Sequence, residues 1–190
     1  MSKSFEEVMQ LTRNVSSATA LDDAEAKGLY DAILQIPHGG LAVEVGCQLG
    51  RSSSIFAQLS LGNQFNSIHI DPYTSQPEYA AQWLNMMREV GGDFEHSFTL
   101  LCMRTEQAAW HLEKFGPIDL AFIDGDHEYP GVMVDLNLVA SKIKSGGLLT
   151  MHDYGRDSLP GVFQAASDYI TDDKWEHIGT YGTLGVWRRK

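Results

Sequence analysis

Short runs of aliphatic and β-branched residues alternate along this chain with longer stretches whose apolar positions recur every three or four residues. LAVEV (41–45), FNSIHI (65–70), SFTLLC (97–102), IDLAFI (118–123) and GLLTM (147–151) have the length and composition of buried strands. Segments 51–60, 78–90, 105–114, 131–143 and 159–171 read as helices; in the fourth, Val132, Leu136, Val139 and Ile143 share one stripe. Gly46, Gly91-Gly92, Pro117, Pro130 and Gly146-Gly147 punctuate the boundaries. Two more helices, over 4–12 and 21–35, precede the first strand. Strand–helix alternation predicts parallel strands joined by right-handed crossovers, hence an α/β, doubly wound sheet with helices on both faces. The tail breaks the alternation: KWEHIGTYG (174–182) and TLGVWRRK (183–190) read as an antiparallel hairpin turning near Tyr181-Gly182. The expectation is a seven-stranded, mostly parallel sheet in a single domain, with 1–40 a helical segment ahead of an α/β core over 41–190.

Charge narrows the partners. With 14 Lys+Arg against 25 Asp+Glu the net charge is −11, which repels nucleic acid and anionic membranes. The one basic cluster, WRRK at 187–190, is terminal. No stretch approaches the roughly 20 apolar residues of a membrane span, and MSKSFEEVMQ has no signal-peptide core, so a cytoplasmic protein is expected. Cys47 and Cys102 are too few for a disulfide framework and are expected as small buried thiols. A small-molecule partner fits best, and apolar residues exposed on the N-terminal helices would suit a homodimer.

Open α/β sheets bind ligands beyond the carboxyl ends of their strands, so the first loop matters most. It reads VEVGCQLGRSSS over 43–54. Gly46 ends the strand where the backbone turns sharply, and Gly50 lets the next helix begin close to a ligand. Ser52 and Ser53 stand at that helix N-terminus, where unpaired N–H groups favour a carboxylate. Glu44 would repel a pyrophosphate; it pairs with a cation or an ammonium group, or it merely caps the βα turn. IHIDPY then ends the second strand at Asp71, where doubly wound nucleotide binders hold ribose hydroxyls. A ribose, an ammonium and a carboxylate without phosphates describe S-adenosylmethionine and not NAD.

VEVGCQLGRSSS, IHIDPY and FIDGDHEYPGVMVDL…IKSGGLLTMHDY together resemble the class I S-adenosylmethionine-dependent methyltransferases over about 41–155. Within them the chain is similar to the small metal-assisted O-methyltransferases, such as catechol O-methyltransferase and the macrolide-sugar and cephalosporin-cluster enzymes. The resemblance implies that Glu44 and Ser52 hold the methionine end of the cofactor, that Gly46 lines it and that Asp71 binds its ribose. It places Met103 and Thr105 against the adenine, although a glycine is common at the first position and Arg104 stands where an acid is common.

Asp124 follows LAFI at the tip of the fourth strand, and His152 and Asp153 follow GGLLTM at the tip of the fifth. Adjacent strands are about 4.8 Å apart, so both tips can converge on one ion. Carboxylates with an imidazole accept Mg²⁺, Mn²⁺ or a harder transition ion. The resembling enzymes use acids around Mg²⁺, and His152 in place of an acid shifts the expectation towards Mn²⁺, Fe²⁺ or no metal. His127, near its working pKa at neutral pH, is the candidate base where the catechol enzyme has a lysine; capping the helix at Pro130 is its alternative. Asp126 reads as a turn residue, Asp135 as a solvated or ion-paired helix position, Trp83, Met86 and Met87 as core, and His96 and His111 as surface. Tyr154 and Arg156 stand within reach of an acceptor.

Overall fold

The structure, a computed structural model, describes residues 3–12, 21–90 and 98–190. Two helices, α1 (Phe5–Thr12) and α2 (Asp23–Ile33), lead into β1 (Leu41–Val45), α3 (Arg51–Asn63), β2 (Asn66–Ile70) and α4 (Glu78–Glu89). There follow β3 (Phe98–Leu101), α5 (Thr105–Leu112), β4 (Ile118–Ile123), α6 (Tyr129–Leu138), β5 (Ile143–Met151) and α7 (Pro160–Tyr169). The hairpin β6 (Trp175–Tyr181) and β7 (Leu184–Arg189) closes the chain. The sheet runs β3-β2-β1-β4-β5-β7-β6, parallel from β3 to β5 and antiparallel at β5–β7 and β7–β6, as expected from the alternation.

Why LAVEV reads as one continuous apolar run is clear from its surroundings. Leu41, Val43 and Val45 point to a core shared with Ala108 and Leu112 of α5, Val132 and Leu136 of α6 and Val162 of α7. Ala42 points the other way, to Val8 of α1, Leu29 and Ile33 of α2 and Phe56 of α3. The two-residue side-chain period sorts the strand between two buried faces. Each fully buried aliphatic side chain contributes about 1.5–3 kcal/mol by leaving water. Trp83, Met86 and Met87 of α4 fill a third cluster with Cys47 and Tyr73, as the helical stripe predicted.

Two expectations need correction. The helix expected over 131–143 ends at Leu138; a 3₁₀ turn (Ala140–Lys142) follows and Ile143 already belongs to β5. The stripe survives because Val139 and Ile143 remain buried, while a register irregularity between Ile118 and Leu120 lets β5 start early and arch through Gly146 (φ +80°). Cys102 lies just past the end of β3 and is exposed, unlike buried Cys47. His96 and Gly91-Gly92 lie outside the described residues, and among the described residues no helix is long and apolar enough to cross a membrane.

Candidate functional site

Strand order reverses at β1, whose neighbours β2 and β4 are reached by crossovers in opposite directions, and a cleft of about 660 Å³ opens at the carboxyl ends there. Gly46, Ser52, Asp71, Thr105, Asp124, His127, His152 and Asp153 all line it. Gly46 is forced: its φ is +86°, and a Cβ would lie 2.0 Å from the Asp124 carbonyl oxygen. The tips of β1 and β4 therefore touch through a residue without a side chain.

Asp71 holds the loop in shape. Its Oδ2 accepts the N–H groups of Cys47 (3.0 Å) and Gln48 (2.9 Å), and its Oδ1 accepts that of Tyr73 (2.9 Å). The carboxylate borders the cleft, and with two donors on Oδ2 and one on Oδ1 it keeps acceptor capacity on Oδ1.

Glu44 departs from its expected role as a contact to the methionine end. It is fully buried, and its oxygens accept the hydroxyls of Ser52 and Ser53 and face His69 Nδ1 at 2.5 Å. His69 Nε2 in turn faces Ser67 Oγ at 2.8 Å, and Trp83 Nε1–H donates to Ser53 at 2.8 Å. A buried carboxylate needs such donors, and here they tie β1, β2, α3 and α4 together behind the loop. Ser52 keeps its place on the cleft wall, but its hydroxyl is turned inward to Glu44. Gly50 is likewise a packing requirement: at φ +92° its Cβ would meet Met86 Cε at 2.0 Å.

On the other side of the cleft, His152 Nδ1 lies 3.1 Å from Asp124 Oδ1 and 3.5 Å from Asp153 Oδ2, while His127 Nε2 lies 3.1 Å from Asp153 Oδ2. Arg156 donates to Asp153 Oδ1 at 2.8 Å. Asp153 sits at φ +56°, a conformation rarely adopted by non-glycine residues and met at functional sites. Burial would raise its pKa, yet His127, His152 and Arg156 hold it far below the usual carboxylate range. Burial opposes a charge on His152, but Asp124 and Asp153 push it up to about 11. Asp124, then Asp153, push His127 up to about 9, so in this state it carries a proton at neutral pH and cannot accept one. His127 was expected as a base near its working pKa; Asp124, three residues back, and Asp153, which spacing alone did not bring near, raise that pKa.

One donor atom each from Asp124, His152 and Asp153 lies within 4.8 Å of the others, a set of two oxygens and a nitrogen that fits a divalent cation. Glu44, Cys47 and His69 also converge, but Glu44 is fully buried with three partners on its oxygens and burial pushes the Cys47 thiol well up, so that set is a packed network.

Thr105 begins α5 and is buried on the cleft wall beside Asp135. Asp135 is not solvated as expected: it is 5% exposed, and burial pushes it up to about 6 against hydrogen bonds from Thr105 and the Asp126 N–H. It falls three residues after Val132 on the buried stripe, a signal the spacing did contain. Asp126 is a turn residue, accepting the Glu128 N–H at 2.9 Å, and Glu128 rather than His127 stands at the N-cap of α6. Arg156 reaches the cleft, whereas Tyr154 stacks on Phe163 and meets Trp187 edge to face. Met103 packs against the core. One participant escaped the sequence reading: Glu25 of α2, 6% exposed, whose Oε2 lies 3.2 Å from His152 Nε2.

The model of a family described as methyltransferase domain matches residues 43–154, which hold most of β1, all of β2 to β5 and every cleft residue named above except Arg156. The chain belongs to the methyltransferase domain family. Its fold is the class I S-adenosylmethionine-dependent one, as the first loop and the reversed last strand suggested. This methyltransferase domain is 34% identical over 73 residues to the uncharacterized protein R132 of Acanthamoeba polyphaga mimivirus, covering 34% of the chain and 33% of that protein's length. The chain thus spans about a third of that curated relative. Among solved structures, the O-methyltransferase NovP superposes with a TM-score of 0.76 at 15% identity, over 97% of this chain and 88% of NovP. An O-methyltransferase from Bacillus cereus in complex with SAH gives 0.72 at 15% identity, over 98% and 90%. At such identities the likeness of the methyltransferase domain to both concerns the fold.

Proposed function

We propose that the protein transfers the methyl group of S-adenosylmethionine to an oxygen of a small hydroxylated molecule, with a divalent cation held by Asp124, His152 and Asp153. The observation that carries this reading is the meeting of two unlike half-sites across one cleft. On one side stand the glycine turn and Asp71, and on the other the two acids and two imidazoles. NovP and the Bacillus cereus protein, both O-methyltransferases, favour oxygen as the acceptor atom. The net charge of −11 favours a small molecule over a nucleic acid.

S-adenosylmethionine supplies an electrophilic methyl on a sulfonium; the C–O bond forms as the C–S bond breaks, leaving S-adenosylhomocysteine and a methyl ether. A cation held by Asp124, His152 and Asp153 would supply a positive centre that lowers the pKa of the acceptor's hydroxyl. The chain's own residues do the rest. Asp71, held in place by the N–H groups of Cys47, Gln48 and Tyr73, presents an acceptor to the ribose hydroxyls. Gly46 brings the two strand tips into contact, which holds the reactants in line. His127 stands on the rim, and where a cation answered the charge of Asp124 and Asp153 it would be the group placed to take the acceptor's proton.

A thermal-shift screen followed by a turnover assay tests this. S-adenosylhomocysteine should stabilise the protein and NAD should not. S-adenosylhomocysteine production from a panel of vicinal diols and hydroxylated sugars should depend on added Mn²⁺ or Mg²⁺. Stabilisation by NAD alone would defeat the cofactor reading, and turnover undiminished by chelators would defeat the cation.

A further inference from the structure

Glu25 is more than a helix cap. The capping box at the start of α2 needs only one of its oxygens: Asp22 accepts the Glu25 N–H at 2.8 Å, and Glu25 Oε2 accepts the Asp22 N–H at 2.8 Å. Such a pair works on an exposed helix end. Here the glutamate is 6% exposed and carries three further contacts. Oε1 accepts both the N–H (3.0 Å) and the hydroxyl (2.6 Å) of Thr183 in the β6–β7 turn, and Oε2 faces His152 Nε2 at 3.2 Å. The turn is fitted to it, since a Cβ on Gly182 would come 2.8 Å from Glu25 Cγ. Elements 127 and 158 residues apart in sequence thus fix this carboxylate from both sides.

A carboxylate offers no hydrogen, so a nitrogen of His152 that faces one bears hydrogen. Without a cation this holds on both sides, since Nδ1 faces Asp124 and Asp153 as Nε2 faces Glu25; a cation shared with Asp124 and Asp153 would displace the hydrogen of Nδ1 and leave that of Nε2 on Glu25. We propose that Glu25 is a positioning residue that fixes the ring of His152 so that Nδ1 ligates a divalent cation, and so biases the site from Mg²⁺ towards ions that favour imidazole. This rests on the reading of Asp124, His152 and Asp153 as a cation site. Carboxylate–histidine–metal arrangements work this way, setting both tautomer and ring orientation. Mg²⁺ prefers oxygen and keeps its waters, so it gains little from a correctly turned imidazole; Zn²⁺ gains much.

Glu25→Gln is the informative change. Thr183 donates twice to one oxygen and Asp22 once to the other, so the amide oxygen stays with Thr183 and the amide N–H₂ turns towards His152, at the loss of the Asp22 cap bond. A donor at that point favours the opposite tautomer, with hydrogen on Nδ1, which then cannot ligate. Titration calorimetry of the full chain with ZnCl₂ and with MgCl₂, without cofactor, reads the result. Zn²⁺ affinity should fall about 10–100-fold in the variant, while Mg²⁺ affinity should change by less than about threefold. Equal losses for both ions would make Glu25 merely structural, and no loss for either would deny it any role. Should the wild type bind neither ion while S-adenosylhomocysteine still stabilises it, the cation reading itself fails and Glu25's role goes with it. Long-range ¹H–¹⁵N correlation spectra of the Zn²⁺-loaded wild type need no variant. His152 should show hydrogen on Nε2 and a metal-shifted Nδ1, and hydrogen on Nδ1 would overturn the proposal.

Discussion

Asp135 gives the sharpest test of the packing. Its carboxyl is buried in the wall of the cleft, where a Cβ on Gly125 would come 3.0 Å from Oδ2 and Thr105 and the Asp126 N–H support a charge. A rise from 3.8 to about 6 is roughly 3 kcal/mol of preference for the neutral form in the folded chain. The folded state therefore holds a proton that the unfolded chain releases earlier. The associated stability is fully present below pH 3.8 and is lost as the pH rises through 6. Asp135→Asn removes that dependence. Its amide oxygen keeps the two donors, although the amide N–H₂ finds no certain partner and costs about 1 kcal/mol. The variant should be about 2 kcal/mol more stable than the wild type at pH 8, or about 4–8 °C in Tm for a chain of this size. At pH 4 the advantage should vanish. Urea unfolding of both proteins from pH 4 to 8 measures it, and the difference between the two curves cancels every other carboxylate. Parallel curves would show that Asp135 ionises without penalty and that its site is wetter than the structure describes.

Three further changes probe the two half-sites. Asp71→Ala should lower affinity for S-adenosylhomocysteine by about 1.5–3 kcal/mol, the worth of hydrogen bonds to a charged acceptor; unchanged calorimetric affinity would remove Asp71 from the binding surface. Glu44→Ala strips the acceptor from Ser52, Ser53 and His69 and should cost about 3–5 kcal/mol of folding stability, so a loss below about 1 kcal/mol in urea titration would contradict the network. Asp153→Asn should leave S-adenosylhomocysteine affinity intact while abolishing methyl transfer, and full turnover in the presence of a chelator would refute its part in the chemistry.

The sheet was legible because each strand and helix is a local pattern with its own period, and Gly46 and Asp71 were legible because the first loop and the second strand tip have fixed places in such a sheet. Glu44 was placed one layer off. The motif fixes its position in β1, but which face of the strand turns towards the ligand depends on His69 and Trp83, from β2 and α4. His127 has part of its setting in reach of the sequence, in Asp124 three residues back, and part outside it, in Asp153, 26 residues on and just past another strand. Glu25 could not have been found, because DDAE at the start of a helix is sufficient as a cap and nothing in it points to residue 152. Asp135 could have been, since it shares the stripe of Val132 and Leu136.

The link from Glu25 to His152 and Thr183 also bears on when the site comes into being. Contacts spanning 127 and 158 residues close only after the central strands have paired and the last hairpin has folded back on α2. Such distant closures are slow, because the chain must lose loop entropy before they return any energy. In refolding, helical signal should recover first and zinc uptake last, which makes ion capture a clock for the final stage of assembly.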